Sequence, residues 1–359
     1  MNIINLSHPI YKDSYVENIM KTFDLNETHF SSNIKNNIIL PELWNIGLIY
    51  GPSGSGKSTL LSTFGKTNNN VCDLDKPIIS QLYENIDESV KLLSSIGLNS
   101  IPSWIKPVKY LSNGELFRCN LAKNLAENSD LCLIDEFTSV VDRNVAQTCS
   151  FALQKYIRKN NKKIILSSCH EDIIEWLNPD WIYNPIIGET LYPRGQLQRP
   201  RITLQIEKTH YKTWDYFKQH HYLTDKIHRS SRCFVVYWEN KLVGFTAILP
   251  LPNPNIKNAW REHRTVILPD FQGISLGCKI SDYFGSLIKS QNGSYYSRTQ
   301  NPAMINYRMK SQNWQFLYSG TRKTNHTSTW DADFIRPATS FKYIGPSSTI
   351  EEGNLFWQK

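Results

Sequence analysis

No run of about 18 apolar residues occurs along these 359 residues, so no segment is expected to cross a membrane. The opening residues, MNIINLSHPIYKD, lack a basic stretch followed by an apolar one, and no secretory leader is expected. The seven cysteines, at positions 72, 119, 132, 149, 169, 233 and 278, are scattered, odd in number and never spaced C-x-x-C. That pattern argues against a disulfide framework and against a zinc site, and it predicts a reduced, cytoplasmic setting. No internal repeat and no long heptad run appears, which excludes a solenoid and an extended coiled coil.

Charge is unevenly shared. Residues 1–200 carry 19 Lys and Arg against 21 Asp and Glu, a balance of −2, while residues 201–359 carry 21 against 11, a balance of +10. The whole net charge of +8 therefore resides in the second half and points to an anionic ligand there. The length favours two domains, each able to bury a core. The stretch NPIIGETLYPRGQLQRP at residues 184–200 mixes proline and glycine with little periodicity, so the boundary is expected within it. The expected division is a first domain over 1–188, a linker over 189–200 and a second domain over 201–359.

The sequence GPSGSGKST at residues 51–59 fits G-x-x-x-x-G-K-[ST] and sits between the apolar run 46–50 and a helix-like segment. Strand, loop and helix in that order make a phosphate cradle. Gly51, Pro52, Ser53, Gly54, Ser55 and Gly56 would form the loop, in which glycines 51, 54 and 56 let backbone N–H groups converge on phosphate oxygens ahead of a helix start. Lys57 would reach the β and γ phosphates, Ser58 would ligate Mg²⁺, and Thr59 completes the motif. Downstream, the apolar strand of LCLIDE at 131–136 ends in two acids with separate roles. Asp135 would hold Mg²⁺ and Glu136, facing the other way, would polarise the attacking water.

With these motifs in this order, residues 1–185 resemble the ABC ATPase family. The resemblance implies that Gln81, after a strand expected over 77–80, is the Q-loop glutamine and joins Ser58 and Asp135 around Mg²⁺. It likewise makes LSNGE at 111–115 the signature, Asp142 the D-loop acid and His170 the switch histidine. It further implies ATP sandwiched between one chain's P-loop and the signature of another, Ser112, Asn113, Gly114 and Glu115, hence a two-fold homodimer. Asn113 and Glu115 depart from the usual LSGGQ. Only 60 positions separate Gly51 from Leu111, so the helical subdomain is expected to be small and no membrane partner is expected. Phe23 and Phe30 are each candidates for stacking on adenine or for the core.

In the second half, RTVILP at 264–269 reads as a strand, DFQGISLG at 270–277 as a loop, and 278–288 as an amphipathic helix with Ile280, Phe284, Leu287 and Ile288 on one face. Backbone N–H groups of Gln272, Gly273, Ile274, Ser275, Leu276 and Gly277 would cup a pyrophosphate. A hairpin turning near 239–241 precedes this unit; a strand at 295–299 and a helix from 302 to about 312 follow it. This order, over residues 202–345, resembles the GNAT N-acyltransferase fold. The resemblance implies an acyl-CoA site that also takes in Ile267, Leu268 and Asn301, and a splayed strand pair that admits an amine. Tyr307 is the candidate acid, although its spacing to Trp314 is long for the family, and Glu262 and His263 are candidate bases. His220, His221 and His228 lack a metal-ligand spacing.

The fold class is thus an α/β P-loop ABC-type ATPase domain followed by an α+β GNAT-like domain, and the chain resembles a family of such fusions. The function this implies is a soluble dimeric ATPase coupled to an acyl-CoA-dependent N-acyltransferase. Its cofactors would be ATP with Mg²⁺ and acetyl-CoA or another acyl-CoA. The acceptor is expected to be an amine on DNA or RNA, with Trp260, Tyr295 and Tyr296 as exposed stacking rings. The alternative is a nucleic-acid-processing or regulatory ATPase whose GNAT-like half only binds.

Overall fold

A computed structural model describes residues 3–26, 28–67, 71–128, 130–193, 195, 201–221, 226–252, 254–320 and 338–357. Residues 222–224 of HHYLT, and residues 194 and 196–200 of the expected linker, lie outside them. Along the chain the first elements are β1 (Ile3–Pro9), α1 (Ser14–Thr22), β2 (His29–Lys35), β3 (Ile46–Tyr50) and α2 (Lys57–Ser62). Next come α3 (Ile86–Ser95), α4 (Ile101–Ile105), α5 (Asn113–Glu127), β4 (Leu131–Ile134), α6 (Arg143–Lys159), β5 (Lys163–Ser168), α7 (Ile173–Leu177), β6 (Trp181–Asn184) and β7 (Glu189–Leu191). The remainder forms β8 (Leu204–Thr209), α8 (Trp214–Phe217), β9 (Arg232–Trp238), β10 (Lys241–Pro250), β11 (Ala259–Ile267), α9 (Leu276–Ser290), β12 (Ser294–Thr299), α10 (Pro302–Lys310), β13 (Trp314–Gly320), β14 (Ala338–Tyr343) and α11 (Ile350–Trp357).

The compact units of the chain are not contiguous in sequence. One comprises residues 1–70, 127–140 and 154–200; the other comprises 71–126, 141–153 and 201–359. In the first, a five-stranded sheet has the order β4-β5-β3-β6-β7, with only β7 antiparallel to its neighbour. β3 is flanked on both sides, so its sequence IGLIY is apolar nearly throughout, as a strand covered on both faces requires. Leu60 and Leu61 of α2 meet Ile49, Leu133, Ile165 and Trp181 in one core. β1 and β2 pair separately as an antiparallel ribbon. β7 falls inside the stretch expected to be linker, where three residues were too few to show a period.

The second unit holds a seven-stranded sheet of order β13-β14-β12-β11-β10-β9-β8, in which only β11 and β12 are parallel. β9 and β10 are joined at Glu239 and Asn240, both at positive φ of 49° and 63°, the two-residue turn whose twist matches the strands it joins. Alternation divides the apolar run of β9 between two cores. Phe234, Val236 and Trp238 face the core of α9, whereas Cys233 and Val235 meet Trp214 and Phe217 of α8. α9 buries Ile280, Phe284, Leu287 and Ile288, the stripe expected from sequence.

Two expectations are corrected here. Residues 78–80 form a 3-10 turn, Ile78–Ser80, after Pro77 rather than a strand, because the chain turns at once to close Gln81 onto its own loop. Trp260 and Tyr295, read as exposed stacking rings, are 7% and 1% exposed and belong to the core beneath α9; of the three, Tyr296 alone lies on the other side of β12.

Candidate functional sites: a phosphate cradle and a strand-loop-helix anion site

In the first unit the loop after β3 bends through Gly54 and Gly56, at φ 77° and 88°. A Cβ at Gly56 would stand 2.6 Å from Ile34 Cδ1 as well as adopt a left-handed backbone, so the position demands glycine. Gly56 caps α2, whose first residues are Lys57 and Ser58. Lys57 Nζ donates to the Pro52 carbonyl at 2.8 Å, and Ser55 Oγ is buried without a hydrogen-bond partner among the described residues. The N–H groups of Gly51 and Ser55 donate to the carbonyls of Ser168 and Pro52 at 3.3 Å each, and the helix start behind the loop is the kind of place that suits a phosphate.

β4 is separated from β3 by β5, and Asp135 and Glu136 stand at its end. The Ser167 hydroxyl donates to Asp135 Oδ1, and Glu136 N–H reaches Ser167 Oγ at 3.0 Å. Glu136 itself is exposed and at φ 49°, and its N–H also reaches Asp135 Oδ1 at 3.0 Å. His170 follows β5 on a backbone held by Ser168 Oγ at 3.1 Å, and its Nδ1 is buried with no hydrogen-bond partner among the described residues. Phe23 and Phe30 are 66% and 70% exposed, so neither is core.

Gln81 and the signature belong to the second unit. Gln81 Oε1 accepts from Asp73 N–H at 2.7 Å and its Nε2 donates to the carbonyls of Asp73 and Lys76. Ser112 and Glu115 bond reciprocally, Ser112 N–H to Glu115 Oε2 at 3.0 Å and Glu115 N–H to Ser112 Oγ at 3.3 Å, a capping box that starts α5. Glu115 Oε1 also accepts from Ser103 at 2.6 Å. The acid in place of the family glutamine therefore fastens α4 to α5, while Ser112 and Asn113 stay exposed. Asp142 is exposed and caps α6, accepting from Asn144 N–H at 2.8 Å.

The candidate anion site of the second half is the loop between β11 and α9. Gly273 at φ 94° and Ser275 at φ 67° turn the chain into the first residues of α9, whose leading N–H groups have no intrahelical acceptor. Ile267 and Leu268 lean on the α9 core, and Gln272 Nε2 donates to the Ile267 carbonyl at 2.7 Å, which sets the loop. β11 and β12 pair from Ala259↔Ser294 to Arg261↔Tyr296, and the later residues of β11 have no described pairing with β12. A bulge in β11 falls at His263, just beyond that pairing. This stretch of β11, the turn and the helix start suit an extended chain ending in a pyrophosphate.

The three groups considered for acid and base chemistry are engaged internally. Glu262 is paired with Arg308 at 2.6 Å and accepts from Ser297 and Thr265 at 2.6 and 2.7 Å. Burial would raise its pKa, but the Arg308 charge and these hydroxyls outweigh it and hold the carboxyl below its usual range. His263 is held neutral, its pKa lowered to about 4 by burial and by the charges of Arg264 and Arg261, and its Nε2 accepts from His228 N–H at 3.2 Å. The Tyr307 hydroxyl donates to Asp282, which also receives Trp314 Nε1–H at 2.7 Å; burial and that carboxylate push the phenol pKa up. Asn301 spends its side chain capping α10, through the N–H groups of Ala303 and Met304. Among the described residues no cluster of His, Cys, Asp and Glu is arranged to hold a metal.

Sequence reasoning missed several partners. Arg118 is the clearest: it is a cation on the buried face of α5, in register with Leu121, Ala122 and Leu125, and only 1% exposed. Ser167, Asp282 and Arg308 carried no such signal, because their importance lies in pairings across the fold. On the outer side of the second sheet Lys342 Nζ lies 5.9 Å from the Tyr296 ring and Arg298 5.9 Å from the Tyr318 ring.

No family model matches the chain, and no curated protein matches it in sequence. Its structural neighbours include ATP-binding cassettes and N-acetyltransferases. An ATP-binding cassette of an ABC transporter in its ADP conformation is 14% identical, covering 46% of this chain and 82% of its own, at a TM-score of 0.35. The Escherichia coli ribosomal-protein-S18-alanine N-acetyltransferase is 12% identical over 39% of this chain and 93% of its own, at 0.31. A Bacillus subtilis acetyltransferase solved with CoA is 8% identical over 40% and 98%, at 0.32. Likeness of this degree adds no argument about activity, which has to come from the sites themselves.

Proposed function

We propose that the chain is an ATP-hydrolysing protein whose second half binds an acyl-CoA and passes the acyl group to an amine. The observation that carries the reading is that residues 51–59 and 272–277 each join a strand to a helix start through a left-handed turn, the local geometry that suits an anion. In the first, Lys57 would hold the β and γ phosphates, and Ser58 and Asp135 the Mg²⁺ that neutralises them. Glu136 and His170 would orient water on the γ phosphate. Two chains would complete each site by adding Ser112, Asn113, Gly114 and Glu115, with Asp142 beside them.

In the second, the N–H groups of 272–277 would hold the CoA pyrophosphate and the later residues of β11 its pantetheine arm. The amine nitrogen would attack the thioester carbonyl carbon; a C–N bond forms, the C–S bond breaks, and the amine's proton ends on the departing sulfur. The functional halves would then be residues 1–188 and 201–359, in a cytoplasmic protein. The acceptor class we favour is an amine on nucleic acid. It is supported by the +10 balance of residues 201–359 and by the rings and cations of Tyr296, Lys342, Arg298 and Tyr318.

The test is release of free thiol from acetyl-CoA with RNA, DNA and small amines offered separately, followed by mass spectrometry of the nucleosides. Acceptor-dependent release supports transfer. A second reading, in which the half only binds, is favoured by the internal engagement of Glu262, His263 and Tyr307, and it predicts CoA binding without thiol release from any acceptor.

A further inference from the structure

Within the second unit, the helix that carries the signature also builds the wall of the acyl-CoA loop. Arg118, one turn beyond Gly114 on α5, spends its guanidinium on two chain segments and on α6. Nη1 donates to the carbonyls of Gly97 and Pro269 at 2.8 and 2.5 Å, Nη2 to Thr148 Oγ1 and the Asp270 carbonyl at 2.8 and 3.3 Å, and Nε to Cys149 Sγ at 3.1 Å. Thr148 Oγ1 in turn donates to the Asp270 carbonyl at 2.7 Å. A buried guanidinium is tolerated only while its donors are met, so parting these segments strands a charge.

The same loop is held at two further points. Gln272 Oε1 accepts from Asn99 N–H at 2.7 Å, and Gly273 meets Gly97 so closely that a Cβ on Gly273 would lie 2.7 Å from the Gly97 Cα. On the signature side, a Cβ on Gly114 would lie 3.2 Å from Asp270 Oδ1. The segment 269–273 therefore has no freedom to move that α5 and the turn after α3 do not share.

We propose that Arg118 and Thr148 are positioning residues that link the acyl-CoA loop to the signature helix, so that engagement of the signature by a second ATP-bound chain changes affinity for acyl-CoA. This rests on the proposed function, and it adds that the two sites are thermodynamically coupled. Coupling of this kind is reciprocal: acyl-CoA must alter the ATP affinity by the same factor.

The test is calorimetric titration of acetyl-CoA into the full chain carrying Glu136→Gln, with and without Mg-ATP. The account expects the Kd to change by about fivefold or more. The change should vanish in Thr148→Val and Arg118→Gln and survive in Thr148→Ser, which keeps the hydroxyl; a merely structural role would not sort the variants this way. Should Arg118→Gln fail to fold, the Thr148 pair decides alone. Binding of both ligands with an unaltered Kd overturns the coupling, as does a change that persists in Thr148→Val. Absence of acetyl-CoA binding under every condition overturns the acyl-CoA reading and the coupling with it.

Discussion

Lys57 and the buried histidines show how far single side chains can be argued. Lys57 is the cation at the start of α2, its Nζ bonded only to the Pro52 carbonyl of the preceding loop among the described residues, so Lys57→Ala is expected to remove ATP binding and change the melting temperature of the apo chain little. A fluorescent ATP analogue checks it; retained affinity counts against the phosphate assignment. His221 and His263 both have pKa values lowered to about 4, burial being the first cause and Arg264 the next. Each binds its proton more readily when unfolded, near the ordinary value of about 6.5. The stability that the neutral rings contribute is therefore complete above about 6.5 and lost as pH falls toward about 4. Urea midpoints should fall between pH 7 and pH 5, and fall less in His263→Gln, whose amide oxygen can still accept from His228 N–H.

At the level of elements, the loop between β11 and α9 is more constrained than its glycines suggest. Gly273→Ala would add a methyl against Gly97 at a φ of 94°, and it is expected to abolish CoA binding while ATP binding persists. Titration of each ligand separately distinguishes this from general unfolding. Elements of this kind were legible in the sequence because their signals are local. The P-loop turn, the strand ending in Asp135 and Glu136, the β9–β10 turn at Glu239 and Asn240 and the stripe of α9 all follow from spacing alone. β7 was not legible, being too short for a period, and the 3-10 turn before Gln81 was mistaken for a strand because Pro77, Ile78 and Ile79 are apolar in either state. Trp260 and Tyr295 were misjudged because burial of an aromatic ring is decided by α9 and α11, far along the chain. The engagements of Glu262 with Arg308 and of Tyr307 with Asp282 were invisible for the same reason.

On the scale of the whole molecule, the account joins nucleotide-dependent pairing of chains to chemistry on an anionic partner. Glu136→Gln should leave ATP bound but unhydrolysed, and size-exclusion chromatography with Mg-ATP should show a dimer where the ADP form is monomeric. A variant that stays monomeric argues against a site shared between chains. Binding to RNA or DNA by the basic second half should weaken steeply between 50 and 200 mM salt, by about tenfold or more, because phosphate contacts release counterions. Salt-independent binding would remove the case for a nucleic-acid acceptor.

Most directly at stake is whether one chain has two distinct nucleotide-bearing ligands, since CoA itself carries an adenine nucleotide that a P-loop can accept. Calorimetric titration of CoA and of Mg-ATP into the full chain and into Lys57→Ala separates the possibilities. Our account predicts one CoA and one ATP per chain, with Lys57→Ala losing ATP and keeping CoA. Loss of both ligands in Lys57→Ala, or one-for-one displacement of CoA by ATP, would contradict it.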